Sequence, residues 1–482
     1  MITFLICLVL LVVAYFVYGR YLERVVGADQ TAACPSESCF DGVDYVPLPK
    51  WKTFLIQLLN IAGLGPIFGA VLGATYGPVA FLWITFGGIF LGAMHDYISG
   101  MISVKNKGVS LPEITGKYLG NAVRQGMRVF TVVLLVLVGA VFMLGPAGIL
   151  GKLTGFTELT LGGFTLPKFW VWVILIYYVI ATLLPVNKII AKIYPLFGAA
   201  LIFMALGIFG ALLFGPYRIP ELTTVANMKT DAARFPIIPT MFITIACGAI
   251  SGFHATQSPL MARCVKTERE GRPVFFGAMI SESIIALIWA AVAMAFFGNV
   301  HGLNDALAAH GNDAAWAVDH IANSTLGRIG GLLALLGVVA APISTGDTAF
   351  RSARLIVADF LGLEQKHIRK RLYISVPLFV AGFAITLMRF DVVWRYFAWA
   401  NQTLAVLTLW TITVYLYTER KPFWLALVPA VFMTFITSDY FFTSGEMLNL
   451  PQGVSLWLAS AATLLISVAI LRMMRRKGRR MA

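Results

Sequence analysis

An all-α polytopic membrane protein of about thirteen transmembrane helices, built around two inverted five-helix halves, is the fold class the sequence predicts. Three observations lead there. Of 482 residues, 59% are hydrophobic and only 12% charged, with a mean hydropathy of +0.82; soluble domains hold roughly 25% charged residues. The apolar residues form runs long enough to span a bilayer, which takes about 20 residues per helix. Two of those runs are interrupted at their midpoints, five spans apart.

Taken in order, the spans are expected near 2–18, 52–74, 78–103, 127–150, 169–187, 193–215, 237–263, 272–298, 327–361, 371–389, 393–417, 422–438 and 454–474. The first run, Ile2 to Tyr18, lacks the basic flank of a signal peptide and a small-residue cleavage site before Gly19-Arg20, so it reads as a retained extra helix. Basic residues in short loops set orientation. Under this span list 29 of the 37 Lys and Arg fall on one side, including the cluster Arg472 to Arg480. That side is therefore cytoplasmic, with the N-terminus outside and the C-terminus inside.

Span two carries Gly63-Leu64-Gly65-Pro66 at its centre and span seven carries Cys247-Gly248-Ala249-Ile250-Ser251-Gly252-Phe253-His254-Ala255-Thr256-Gln257-Ser258-Pro259. Proline removes a donor and crowds the preceding turn, so each helix unwinds and frees backbone groups at mid-membrane depth. An odd offset means that the two broken helices cross in opposite directions, the pattern of a secondary transporter with inverted repeats and a midplane site. The single transporter domain, 1–482, thus divides into the helix at 2–18, a first repeat at 52–215, an inverted second repeat at 237–417 and two accessory helices at 422–474.

The block Gly63-Leu64-Gly65-Pro66-Ile67-Phe68-Gly69-Ala70, with Gly77-Pro78-Val79-Ala80-Phe81-Leu82-Trp83-Ile84 and His95-Asp96-Tyr97, resembles the carbon starvation protein A family. The loop Asp41-Gly42-Val43-Asp44-Tyr45-Val46-Pro47, Lys192-Ile193-Tyr194-Pro195 and Ser251-Gly252-Phe253-His254-Ala255-Thr256-Gln257 are similar to it as well. The resemblance implies a leucine-transporter-type fold of the amino acid–polyamine–organocation class. It also implies import of pyruvate or small peptides under carbon starvation, with protons as the coupling ion. This chain is shorter than the best-known members, which continue through further C-terminal membrane segments.

For the substrate, the second half of a broken helix offers amides and partial positive charge to a carboxylate. In span two these belong to Ile67, Phe68 and Gly69, with Gly63 and Gly65 allowing close approach and carbonyls near Asn60 facing a cation or an amine. Phe253, His254 and Gln257 follow the second break, beside Thr256; His254 is either a substrate contact or part of a proton route, or it donates to a freed carbonyl. For the coupling ion, the resemblance points to Lys192, on the fifth core helix, as a proton carrier, against a snorkelling interfacial lysine. Ser344, Thr345, Asp347 and Thr348 of span nine offer oxygen ligands for sodium, against an Asp347–Arg351 helical ion pair. His95 and Asp96 are read as an inner gate with Arg351 or Arg354, and Glu282 as a helix-packing hydrogen-bond partner.

Other classes are excluded or remain as alternatives. No Gly-x-Ser-x-Gly elbow or His-Glu-x-x-His helix is present, so an enzyme is not expected. Scattered basic clusters argue against a nucleic-acid partner. Five cysteines without a framework predict neither a disulfide scaffold nor a metal site at Cys34 and Cys39. No cofactor is expected. The partners are then a small-molecule substrate, a proton or sodium ion and the lipid bilayer. A sodium-coupled peptide or amino-acid symporter, and a nutrient sensor on the same scaffold, stand as alternatives.

Overall fold

The structure, a computed structural model, describes residues 1–161, 164–166, 168–183, 190–365, 367–388 and 390–481. Within these ranges the side chains of residues 153, 159–161, 164–166, 183, 190–193, 328–336, 391 and 479–481 lie outside the description. The described residues are mostly helical, and each of the thirteen apolar segments coincides with helix over most of its described residues. Span one is Ile2–Val26, span three Val79–Lys105, span four Asn121–Thr154, span five Phe169–Leu183 and span six Ile190–Phe214. Span eight is Glu268–Phe296, span nine lies within Ala314–Leu361, span ten is Ile368–Ile385 and span eleven Phe390–Thr418. Trp424–Thr443 and Gln452–Met481 complete the series as spans twelve and thirteen.

Spans two and seven are broken. The first consists of Lys50–Ile61 and Gly65–Ala74, bent by 55°; the second of Ile237–Met241, Phe242–Thr244 and Gly252–Ala262. By length and composition alone, among the described residues, seven helices can cross a membrane, and the bent pair of span two makes eight. The other segments fall below that test for visible reasons. Span five has 15 residues, span seven is interrupted, and span ten opens on Arg369, Lys370 and Arg371. The described stretch of span nine from residue 337 carries Asp347, Arg351 and Arg354, and span eleven buries polar side chains, among them Asn401 and Gln402.

Local signals move some boundaries from their expected places. A separate helix begins at Ala314, where Asp313 accepts from the Ala315 amide at 2.9 Å, and it meets the next helix at a kink at Gly327, φ 64°, where the sequence places the start of span nine. Leu159–Leu161 pairs antiparallel with Phe164–Leu166, a short hairpin that an all-α expectation omits.

Burial sorts the helices. The apolar cores of Val79–Lys105 and Glu268–Phe296 are 78% and 83% buried, against 28% for Ile2–Val26 and 17% for Gln452–Gly478. Spans three and eight are therefore central, while spans one and thirteen turn apolar faces outward, as lipid-facing helices do. The two broken spans pack with three and eight into one group; span nine packs on four and six, and span eleven lies beside seven and twelve.

Candidate functional site

The site is built where the two breaks meet. Span two stops at Ala62, whose ψ of 50° leaves the helical range, and restarts at Gly65. Pro66 cannot donate, and the Ile67 and Phe68 amides donate to the Leu64 carbonyl at 3.3 and 2.8 Å. Those two amides, expected to await a carboxylate, are thus engaged in their own turn in this conformation. On the other side of the break, Thr345 Oγ1 donates to the Leu59 carbonyl at 2.9 Å. A carbonyl released by unwinding is in this way answered from span nine.

Span seven opens at Ile245 and resumes after Ser251, which is extended at φ −144°, ψ 125°. Its freed groups are answered from spans three and eleven. Trp83 Nε1 donates to the Ile245 carbonyl at 3.0 Å and Gln402 Nε2 to the Ile250 carbonyl at 3.0 Å. Asn401 Oδ1 accepts from the Phe253 amide at 2.7 Å and from Ser251 Oγ at 3.0 Å, capping the second half-helix. The breaks touch each other: a Cβ added to Gly65 would overlap Cys247 Cβ and Sγ.

Beside this junction runs a buried chain of acids and imidazoles. His95 Nδ1 and His254 Nδ1 each lie 2.8 Å from one oxygen of Asp96. His254 Nε2 lies 3.4 Å from Glu282 Oε2, within ion-pair range and outside hydrogen-bond geometry. All four side chains are fully buried. The ligand-capable atoms of Cys247, His254 and Glu282 lie within 4.8 Å of one another, close enough to share one cation. Three separate spans, three, seven and eight, thus converge on His254, in a set of ionisable groups that is costly to bury in a membrane.

The remaining expected residues divide. Asn60 and its neighbour Gln57 are buried, with no hydrogen-bond partner among the described residues on either side-chain amide atom, so polar capacity is left over in span two. Phe253 meets Phe142 edge-on at 6.3 Å. Gln257 donates to Thr256 Oγ1 at 2.8 Å and to Ser352 Oγ at 3.4 Å. Gly69 faces the Thr244 carbonyl across the two breaks, and Gly63 faces Phe142 and Thr345. Of the span-nine hydroxyls, Thr345 reaches span two; Ser344 donates to Ala341 O and Thr348 to Thr345 O in their own helix. Asp347 accepts from Tyr194 Oη at 2.6 Å. Lys192 lies in span six, with its side chain outside the described ones.

Two expectations are corrected. In this structure His95 and Asp96 do not meet Arg351 or Arg354; Asp96 turns to His254, and both arginines turn to Asp44 of the loop before span two. Glu282 is more than a packing partner, since it faces His254. Sequence reasoning also missed Asn401 and Gln402, although an adjacent amide pair within an apolar span was a visible signal.

The comparisons agree with this architecture. The model of the family described as carbon starvation protein CstA matches residues 1–151, 149–330 and 325–439. An uncharacterized membrane protein of Haemophilus influenzae is 43% identical over 351 residues, covering 64% of this chain and 95% of its own. The peptide transporter CstA of Bacillus subtilis is 26% identical over 529 residues, covering 89% and 88%. The pyruvate/proton symporter BtsT of Escherichia coli is 26% identical over 339 residues, covering 57% and 46%. Among solved structures, the manganese transporter of Eremococcus coleocola, in complex with an aromatic bis-isothiourea substituted compound, superposes with a TM-score of 0.54 at 14% identity, covering 92% of this chain and 99% of that one. MhsT in complex with L-phenylalanine superposes at 0.53 and 14% identity, covering 89% and 99%. The fold is thus the leucine-transporter type, and the named relatives are transporters rather than enzymes. With the family model matching nearly the whole chain, this multi-pass membrane protein belongs to the carbon starvation protein CstA family.

Proposed function

We propose that this protein is a secondary active importer of a small carboxylate, pyruvate or a short peptide, across the inner membrane, with protons as the coupling cation. The observation that carries the reading is the buried chain His95–Asp96–His254–Glu282 beside the two facing breaks. Imidazoles gain and lose protons near neutral pH, and a histidine between two acids can pass a proton while the site stays closed. This supports His254 over Lys192 as the carrier. The substrate carboxylate fits the N-terminus of the second half-helix, where Asn401 Oδ1 now accepts from the Phe253 amide and Ser251. The excess of basic residues on one side supports a cytoplasmic C-terminus.

The test is uptake of labelled pyruvate and of dialanine into proteoliposomes, under a pH gradient and then a sodium gradient. Accumulation driven by acid outside is expected for at least one of the two. Accumulation driven only by sodium would move the coupling site to Thr345 and the Leu59 carbonyl, and no accumulation under either gradient would leave a sensor.

A further inference from the structure

A second buried charge cluster lies away from the central chain. Arg351 and Arg354, one turn apart on span nine, are 1% and 0% exposed. Arg351 Nη1 lies 3.3 Å from Asp44 Oδ1, and Arg354 Nη2 lies 3.6 Å from Asp44 Oδ2. Burial works against the Asp44 charge, but Arg354, Arg351, Arg263 and Arg371 outweigh it and hold the carboxyl below the usual range. Around these four guanidinium groups stand the acids Asp44, Asp347, Asp359 and Asp41. Asp44 is the acid that bridges Arg351 and Arg354.

We propose that Arg351 and Arg354 form a second carboxylate-binding site on the exit side of the central chain, and that Asp44 is a tethered occupant which the substrate carboxylate displaces. This rests on the reading of the protein as a carboxylate transporter.

Three features distinguish the cluster from a structural ion pair. First, the contacts are loose. A guanidinium fork on a carboxylate closes to about 2.7–2.9 Å, whereas these stand at 3.3 and 3.6 Å, and Arg354 Nε is buried with no hydrogen-bond partner among the described residues. A fork left partly unsatisfied in a buried place is costly unless an anion visits it.

Second, the acid comes from a loop. Asp41 Oδ1 accepts from the amides of Val43, Asp44 and Tyr45 at 2.8, 2.9 and 2.9 Å, which shapes the turn that presents Asp44. The loop is held by Leu48 N to Cys264 O at 3.0 Å, Ser36 Oγ to Val265 O at 2.7 Å and Tyr45 Oη to Lys107 O at 3.1 Å.

Third, the cluster continues the central path. The half-helix that carries His254 ends beside Arg263, about 13 Å further on at 1.5 Å per residue. Midway, Gln257 reaches Ser352, which donates to the Thr256 carbonyl and neighbours Arg351 in sequence.

The experiment is equilibrium binding of labelled pyruvate to purified full-length protein, comparing the wild type, Asp44→Asn and the double variant Asp44→Asn/Arg354→Ala. Removing the tethered acid is expected to tighten the second bound equivalent at least tenfold, since nothing then has to be displaced, and removing Arg354 to abolish it. A monodisperse Asp44→Asn protein that binds pyruvate no more tightly than the wild type overturns the proposal. Should Asp44→Asn not fold, the wild type still decides. Cys264 is buried, with its sulfur 4.0 Å from the Asp44 carbonyl, so it reports loop release. Saturating pyruvate is expected to speed maleimide labelling of Cys264, read by peptide mass spectrometry, and Arg354→Ala to abolish the acceleration; an unchanged wild-type rate overturns the proposal. The tighter binding is read as a difference from the wild type. Failed uptake by the wild type would sink the transport reading without altering that difference.

Discussion

At His254 an imidazole stands between two acids contributed by other spans, Asp96 at 2.8 Å and Glu282 at 3.4 Å. His254→Gln keeps polar atoms in place and removes the exchangeable ring proton. Acid-driven accumulation is expected to fall at least tenfold, since a positioned proton-transfer group contributes roughly 10²–10⁴-fold. Substrate counterflow without a gradient should persist, and its loss together with accumulation would make His254 a substrate contact instead. Asn401 makes a separate point. Asn401→Ala leaves the Phe253 amide and Ser251 Oγ without their acceptor, at a cost of about 1–3 kcal/mol. Thermal unfolding in detergent should register it, with pyruvate restoring part of the loss if a carboxylate takes the vacated place. The sequence showed that His254, Asp96 and Glu282 were ionisable residues within apolar runs. It did not show that they meet, because Asp96 and His254 are 158 residues apart and Glu282 stands between serines that suggest ordinary packing.

For the elements, the two breaks were legible because glycine and proline announce an interrupted helix through backbone chemistry alone. What closes each break was not legible, since Thr345, Trp83, Asn401 and Gln402 arrive from other spans. Contact between the breaks also depends on tertiary packing. Gly65 is required by the approach of Cys247 and not by an unusual backbone angle, as it lies in a helical turn. Gly65→Val therefore drives a branched side chain into the space that the Cys247 side chain fills. Overpacking of this kind costs about 1–3 kcal/mol, and uptake is expected to be lost with a lowered melting temperature. Gly65→Ala combined with Cys247→Gly should recover part of both. Failure of the pair to do better than Gly65→Ala alone would show that the glycine serves something other than this contact.

For the whole molecule, span order and the basic asymmetry were readable from apolar runs and charges, while the docking of polar loops over both ends was not. The central chain is sealed from solvent in this structure. The loop carrying Asp44 covers one end. At the other, the loop after span six and the helix Val300–Ala309 after span eight dock on the turn between spans two and three: the Met228 amide donates to Tyr76 O at 3.2 Å, and Asn304 Nδ2 to Thr75 O at 3.0 Å. Lys229 in that loop donates to Thr75 Oγ1 at 3.0 Å and lies over the Tyr76 and Phe235 rings. Burial alone lowers its pKa from 10.5 to about 8. Between those values the unfolded chain holds a proton that the folded chain has released, so stability rises with pH across the window. The penalty is fully present below about pH 8 and amounts to about 2–3 kcal/mol at most. Melting temperatures from pH 7 to 10 should climb in the wild type, whereas Lys229→Met should start higher at pH 7 and lose most of the slope. An equal slope in both would assign the released proton to another group, and the loop would then dock without cost from this lysine.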